Sequence, residues 1–202
     1  MSHLSQNPRY NVTFIGDPFV GKTMIVNSFL GNSFTDKYDM TVGAAMIKIE
    51  QKDESNSEPT CLYVWDTGGE EKFKSLAPVY YRNSNCAVIV YDVTKSESFE
   101  NVSKWYDLYK DKTGNAPNNK VIIIGNKIDL RQDKQKNDEF VDSERGKQMA
   151  SKYDCEFIET SAKTGENISL LLNTLVQYVK SNNQPSFFPP LQNAEKKDSG
   201  CC

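Results

Sequence analysis

The chain has 202 residues, of which 38% are hydrophobic and 25% are charged, an ordinary balance for a soluble globule with a sizeable core. Its net charge of −3 and its pI near 5.3 disfavour nucleic acid as a partner, because proteins that bind a phosphate backbone usually carry a basic face. No apolar run is long enough to span a bilayer, and residues 1–9 do not fit a signal peptide, so we expect a cytosolic protein.

Strand-like and helix-like patterns alternate along the chain. Short apolar runs predict strands over residues 10–15, 42–51, 61–65, 86–91, 121–124 and 156–158. Helical spacing of apolar residues predicts helices after residue 20, from residue 96, over 142–152, and over a final segment whose apolar face holds Ile168, Leu171, Leu172, Leu175, Val176 and Val179. We predict an α/β fold: a mostly parallel six-stranded sheet with an antiparallel edge, helices on both faces, and a ligand crevice at the carboxyl ends of the strands.

The loop from Gly16 to Thr23 organises the rest of the chain. It fits the pattern G-x-x-x-x-G-K-[ST] and lies between the first predicted strand and the first predicted helix, as a phosphate-binding loop does. Its glycines let the backbone approach a polyphosphate, Lys22 supplies a positive charge, and the Thr23 hydroxyl can ligate Mg²⁺. The cofactor-binding residues predicted here are Asp17, Pro18, Phe19, Val20, Gly21, Lys22 and Thr23.

A second polar cluster, Asp66 to Glu70, follows the third predicted strand. Asp66 is placed to reach the Mg²⁺ shell, and the N–H of Gly69 is placed to meet a terminal phosphate. Taken alone, the same residues also fit a simple glycine turn.

Two further clusters follow the fifth and sixth predicted strands and concern the base. In the sequence from Asn126 to Asp129, the aspartate can accept two hydrogen bonds from the N1–H and exocyclic amine of guanine, and adenine offers no such pair. Lys127 belongs to the same motif. Ser161, Ala162 and Lys163 can present a backbone N–H to the guanine carbonyl and cover the base edge. These residues predict GTP rather than ATP as the ligand.

In this order, the four clusters resemble those of the Ras superfamily of small GTPases, and within it the Rab branch. Tyr80 to Ser84, Tyr91 to Thr94 and the terminal cysteine pair look specifically Rab-like. The resemblance implies the fold of P-loop nucleotide hydrolases and three parts: an extension over 1–9, a GTP-binding domain over 10–180, and a flexible tail over 181–202.

The resemblance also implies roles for individual residues. Phe34 would pack edge-on to guanine, Tyr38 would lie over the phosphates, and Thr41 would sense Mg²⁺ and the γ-phosphate. Thr41 and Gly69 would lose their contacts on hydrolysis and release two switch loops. The implied metal-binding residues are Thr23, Thr41 and Asp66, and the implied catalytic residues are Lys22, Thr41, Gly69 and Glu70.

Several positions depart from the family pattern. Glu70 stands where the family usually has the glutamine that orients the attacking water, and its charge near the γ-phosphate predicts slow intrinsic hydrolysis. Gly68 replaces an alanine and loosens its loop. Pro18 and Phe19 occupy phosphate-loop positions that are generally small, and residues 42–46 give an unusual edge towards effectors.

The tail ends in Cys201 and Cys202, and it offers no basic patch that would hold an anionic membrane. The resemblance implies that both cysteines carry geranylgeranyl groups. It also implies a guanine nucleotide exchange factor, a GTPase-activating protein, a GDP dissociation inhibitor or escort protein and effectors as partners. The implied location is the cytoplasm and the cytoplasmic face of endomembranes.

We therefore expect a GTP/GDP switch that hydrolyses GTP and regulates vesicle and membrane trafficking. One alternative is a GTP-locked scaffold in which Glu70 and the bulky phosphate loop have abolished useful turnover. A second alternative is a P-loop ATPase or nucleotide kinase, which would have no use for Asn126 to Asp129.

Overall fold

The structure is a computed structural model, and it describes residues 9–35, 41, 43–52, 59–68, 81, 84–114, 120–132 and 140–182. Its strands are β1 (Arg9–Ile15), β2 (Ala44–Gln51), β3 (Thr60–Thr67), β4 (Cys86–Asp92), β5 (Lys120–Asn126) and β6 (Glu156–Thr160). Its helices are α1 (Lys22–Phe29), α2 (Ser96–Glu100), α3 (Val102–Thr113), α4 (Ser143–Lys152) and α5 (Ile168–Asn182), with a 3₁₀ helix at Ile128–Gln132. Within these ranges, none of the helices combines the length and the apolar character needed to cross a membrane.

The six strands form one sheet in the order β2-β3-β1-β4-β5-β6. Strand β2 is antiparallel to β3, and the other neighbouring pairs are parallel. This confirms the predicted sheet and its antiparallel edge. The strand order reverses between β1 and β4, so a crevice opens beyond the carboxyl ends of these strands, where α/β sheets usually bind ligands.

Helices cover both faces of the sheet, as predicted. Because successive side chains of a strand point to opposite faces, each buried strand contributes to two separate apolar clusters. Val12, Phe14 and Ile124 lie in the cluster that α1 and α5 complete, whereas Ile89 and Ile123 lie in the cluster that α2, α3 and α4 complete. Burial on both faces explains why the central strands are continuous apolar runs in the sequence.

Some predicted boundaries were wrong. The predicted strands over 86–91, 121–124 and 156–158 end too early, because the polar residues Asp92, Asn126 and Thr160 still pair in the sheet. The predicted helix from residue 96 is two helices that meet at Asn101. The sequence also predicts Leu30 on the apolar face of α1 with Ile25 and Phe29, and this was wrong: the helix ends before Leu30 with short-range backbone bonds, and the residue is 47% exposed.

Candidate functional site

The loop between β1 and α1 closes around the ammonium group of Lys22. Its Nζ donates to the carbonyl oxygens of Gly16 at 2.8 Å and Asp17 at 2.7 Å, and the residue is only 4% exposed. Burial lowers the pKa of Lys22 to about 8, although the negative charges of Asp66 and Asp17 act in the opposite direction. A buried cation is a strong attractor for an anion that enters the loop.

The backbone of this loop requires unusual conformations. At Gly21, φ is 99° and a Cβ would lie 2.3 Å from Nδ2 of Asn126, so the position admits only glycine. Phe19 has φ of 63° without being glycine, which costs on the order of 1 kcal/mol. Its carbonyl oxygen accepts a hydrogen bond of 2.7 Å from Nζ of Lys127, which helps to hold this conformation.

Three oxygen-bearing side chains meet at the start of α1. The Thr23 hydroxyl donates to Oδ2 of Asp66 at 2.6 Å, and it lies 2.9 Å from the Thr41 hydroxyl. Burial raises the pKa of Asp66, partly offset by the hydrogen bond from Thr23 and the charge of Lys22. Its buried Oδ1 accepts no hydrogen bond from the part of the chain that the structure describes.

This cluster fits Mg²⁺. The ion prefers oxygen ligands, and proteins usually hold it with one or two carboxylates while the phosphates of the substrate supply further ligands. The cluster offers one carboxylate with an oxygen to spare and two hydroxyls. Among the described residues, no group of three or more His, Cys, Asp or Glu side chains could hold a metal by itself. Phosphate oxygens and water would supply the other ligands.

Gly68 lies directly against the segment that contains Thr41. Its N–H donates to the carbonyl oxygen of Gly43 at 2.9 Å, and a Cβ at Gly68 would lie 2.2 Å from the carbonyl oxygen of Thr41. The absence of a side chain at Gly68 therefore permits this close backbone contact. The sequence had predicted only that glycine loosens the loop.

Asn126 joins the ends of β5 and β6 to the phosphate loop. It is 1% exposed, and its Nδ2 donates to the carbonyl oxygen of Val20 at 2.9 Å. Its Oδ1 accepts from the Thr160 hydroxyl and from the N–H of Ala162, both at 3.2 Å. The side chain thus uses its donor and its acceptor to hold three segments together.

Lys127 makes a second connection across the crevice. Its Nζ lies 2.7 Å from Oδ2 of Asp92 at the end of β4, in addition to its bond to the carbonyl of Phe19. Oδ1 of Asp92 accepts from the N–H and the hydroxyl of Thr94 at 2.9 and 2.7 Å. Asp92 is a site-supporting residue that the sequence did not single out, although it belongs to the Rab-like stretch from Tyr91 to Thr94.

Asp129 and Ser161 meet at the open side of the crevice. The Ser161 hydroxyl donates to Oδ1 of Asp129 at 2.6 Å and accepts from the N–H of Thr164 at 3.1 Å. The Lys163 ammonium lies 5.9 Å from the ring centre of Phe34. A pocket of about 340 Å³ opens here, of a size that suits a small molecule, and it is lined by Phe19, Gly21, Met24, Phe34, Thr35, Asn126, Lys127, Asp129, Leu130, Ala162 and Lys163.

The carboxylate of Asp17 contacts the helices α2 and α3. Its Oδ2 accepts from Nδ2 of Asn101 at 2.8 Å, and its Oδ1 accepts from Nε1 of Trp105 at 2.7 Å. The sequence predicted Asp17 as a cofactor-binding residue but gave no sign of these two partners, which lie more than eighty positions away in the chain.

Thr23, Thr41 and Asp66 meet at the start of α1 beside the phosphate loop. The other predicted residues that line the pocket are Phe19, Gly21, Phe34, Asn126, Lys127, Asp129, Ala162 and Lys163. The side chain of Asp17 instead contacts Asn101 and Trp105. The predicted residues Tyr38, Gly69, Glu70, Cys201 and Cys202 lie outside the described residues.

The chain is similar in sequence to proteins of the Ras family. The model of the Ras family matches residues 11–181. The GTP-binding protein ypt5 of Schizosaccharomyces pombe is 37% identical over 167 residues, which cover 82% of this chain and 75% of that protein. The Ras-related protein Rab-5B of Plasmodium falciparum is 36% identical over 180 residues, which cover 88% of this chain and 81% of that protein.

Proposed function

This chain is a member of the Ras family of small GTPases, in its Rab branch, and on that premise we propose that it regulates vesicle and membrane trafficking by alternating between GTP-bound and GDP-bound states. Membership confirms the resemblance found in the sequence and identifies the protein as a GTPase. It gives no support to the ATPase or nucleotide-kinase alternative, and it does not favour the GTP-locked scaffold.

The observation that carries the proposal is the arrangement of the crevice. A loop around a buried ammonium, a cluster of two hydroxyls and a carboxylate, and a pocket bordered by an aspartate follow one another along the carboxyl edge of the sheet. In this order, the three groups match the phosphates, the metal and the base of a guanine nucleotide.

At the base, we propose that Asp129 accepts the N1–H and exocyclic amine of guanine. Ser161 holds its Oδ1 at 2.6 Å, which fixes the plane of the carboxylate before the ligand arrives. Phe34 and Lys163 border the same pocket and would pack on the base. The segment that contains Ser161, Ala162 and Lys163 would present a backbone N–H to the guanine carbonyl.

At the phosphates, Lys22 would exchange its two carbonyl partners for phosphate oxygens, and the backbone of residues 17–23, except Pro18, would supply N–H donors. Thr23, Thr41 and Asp66 would hold Mg²⁺. When bound, the ion neutralises charge that develops on the phosphates during hydrolysis. Hydrolysis is an in-line attack of water on the γ-phosphate, so the contribution of this chain is positioning and charge stabilisation.

The switch itself would depend on Thr41 and Gly69. In the GTP state, Thr41 would contact Mg²⁺ and the γ-phosphate, and the N–H of Gly69 would contact the γ-phosphate. Loss of that phosphate would release the two segments that contain these residues. Tyr38 would cover the phosphates from the same side. Effectors would then distinguish the two states by the order of these segments.

Glu70 would stand where a water-orienting group is needed, and we propose that its charge slows intrinsic hydrolysis. A carboxylate beside an anionic phosphate raises the energy of the transition state, and loss of one well-placed polar contact at such a site commonly costs about 10²-fold in rate. The test is single-turnover hydrolysis of GTP by the purified full chain and by Glu70→Gln, with ATP as the control substrate.

The proposal predicts slow cleavage of GTP, no cleavage of ATP, and faster cleavage of GTP by Glu70→Gln. If Glu70→Gln is no faster than the parent, the brake does not lie at this residue. Failure of the parent to bind GTP or GDP in the same preparation would contradict the switch itself.

We also propose that Cys201 and Cys202 carry geranylgeranyl groups and bring the protein to the cytoplasmic face of endomembranes, in exchange with a cytoplasmic pool. Exchange factors, activating proteins, GDP dissociation inhibitors and effectors would be its partners. One lipid chain binds membranes only marginally, so both cysteines are needed. Cys201→Ser and Cys202→Ser should each leave most of the protein in the cytosolic fraction, and stable membrane retention of either variant would contradict double lipidation.

A further inference from the structure

The phosphate loop carries a carboxylate that faces a helix junction. Asp17 is the second residue of the loop, and both oxygens of its side chain accept hydrogen bonds from neutral donors of other elements: Nδ2 of Asn101 at 2.8 Å and Nε1 of Trp105 at 2.7 Å. Asn101 is the single residue between α2 and α3, and Trp105 lies in the first turn of α3.

A carboxylate in an anion-binding loop needs such partners. Like charges repel at short range near a protein surface, so an Asp17 side chain that was not held away from a polyphosphate would weaken binding. Two donors that bind both oxygens fix the direction of the carboxylate. The same bonds also fix the backbone at Asp17, whose carbonyl oxygen accepts from Lys22. The direction of the carboxylate and the shape of the loop are therefore set together.

The polarity of the Asn101 amide is determined by its neighbours. Nζ of Lys104 donates to Oδ1 of Asn101 at 2.7 Å. An ammonium can only donate and a carboxylate can only accept, so the amide must turn its oxygen to Lys104 and its nitrogen to Asp17. Asparagine often caps the helix that follows it, but this side chain makes no capping bond to α3. It is used instead to hold the loop.

We infer that Asn101 and Trp105 are positioning residues of the nucleotide site: through Asp17, they hold the phosphate loop in its binding shape, so that the junction of α2 and α3 controls how long a guanine nucleotide stays bound. The inference rests on the proposed function, since it assigns these residues to the site that binds GTP and GDP. Neither residue belongs to the loop, the metal cluster or the base pocket.

A swap of the two interacting groups tests this inference. Asn101→Asp places a second carboxylate against Asp17, and like-charge repulsion should speed release of GDP about tenfold. Asp17→Asn should have a smaller effect, about threefold, because the Asn101 amide can rotate at the expense of its exposed bond to Lys104. In the double variant, an amide at position 17 again faces a carboxylate at position 101, and release should return to within about twofold of the parent.

Trp105→Phe keeps an aromatic ring and removes the indole N–H, which should speed GDP release about tenfold because a hydrogen bond to a charged group is lost. Tyr106→Phe is the matched control. It removes one polar atom from the neighbouring aromatic residue, which stacks on Tyr153 away from the loop, and release should be unchanged.

The measurement is the release of a fluorescent GDP analogue from the purified full chain in Mg²⁺, together with hydrogen exchange of the backbone amides of residues 16, 17 and 19–23 in each variant. The inference requires faster release and faster exchange in Asn101→Asp, and recovery of both in the double variant. Effects that simply add in the double variant would overturn it. If the parent binds no guanine nucleotide, the proposed function fails. The hydrogen-exchange rates of the loop amides then still test the inference: recovery in the double variant shows that Asn101 and Asp17 hold the loop, and additive effects show that they do not.

Discussion

The two ends of the crevice are built differently. At the phosphate end, Lys22 is buried with a pKa lowered to about 8, and Oδ1 of Asp66 is buried without a hydrogen bond from the described residues. At the base end, the polar groups already have partners: Asn126 bonds to the phosphate loop and to the end of β6, and Asp129 bonds to Ser161. The phosphate end thus holds a buried cation and a carboxylate oxygen without a hydrogen bond from the described residues, whereas the polar groups named at the base end are already hydrogen-bonded.

This difference gives the two ends different roles: the base end selects the nucleotide, and the phosphate end retains it. A buried polar group without a partner destabilises the protein by about 1–3 kcal/mol, and a ligand that supplies the partner recovers that energy on binding. The phosphate end therefore gains most from the ligand and its metal. The base end, held in place beforehand, loses little entropy when the base binds and can discriminate by hydrogen bonding alone.

The largest expected effect is at the base end. Asp129→Asn should change the preferred ligand from GDP to xanthosine diphosphate, because an amide can donate to the C2 carbonyl of xanthine where the carboxylate accepted from the guanine amine. Sites that read a polar group directly discriminate on the order of 10⁴-fold. Competition between the two diphosphates for the purified variant measures the change.

Ser161→Ala is the control for this prediction. It removes the hydroxyl that orients Asp129 and should lower GDP affinity without changing the preferred base. Unchanged preference for guanine in Asp129→Asn would mean that the base end does not select through this carboxylate.

A smaller effect is expected from Asp66→Asn at the phosphate end. The change removes the one charged group of the metal cluster and keeps its size, so GDP should leave about 100-fold faster in the presence of Mg²⁺. In excess EDTA, the variant and the parent should release GDP at similar rates, because the metal no longer contributes in either. A difference that persists at full size in EDTA would show that Asp66 acts on the loop rather than through the metal.

The smallest expected effect is a pH dependence of GDP affinity. The pKa of Lys22 is about 8 in the free protein, and bound phosphates raise it towards its ordinary value. Binding then takes up a proton above pH 8, so affinity falls as the pH rises, by about eightfold from pH 7.5 to pH 9. In Lys22→Arg, the side chain keeps its charge over this pH range. Even if the variant binds GDP more weakly than the parent, its affinity should not change with pH. An equal slope in both proteins would assign the titration to another group.

The fold was largely predictable because its signals are local. Unbroken apolar runs identified the parallel strands. The polar residues over 52–59 are typical of a hairpin loop, which predicted that the strands on either side of them are antiparallel. The break at Asn101 was not predictable, because Phe99, Val102 and Tyr109 keep a helical spacing across it. Strand ends were misplaced where polar residues still pair in the sheet.

The candidate site was predictable where residues act within a short motif. The loop around Lys22 and the segment from Asn126 to Asp129 are of this kind. The supporting contacts of Asp92, Asn101 and Trp105 were missed, because each depends on a pairing across the fold that no local spacing encodes.

The central claim is that the base end selects guanine without help from the phosphate end. The most direct test is the ratio of affinities for GDP and inosine diphosphate, which lacks the exocyclic amine, measured with Mg²⁺ and again in excess EDTA. Both affinities should fall when the metal is removed, while their ratio stays within about twofold, because Asp129 is already held by Ser161. A ratio that collapses towards one in EDTA would contradict the account, since guanine selection would then depend on the metal and the phosphates.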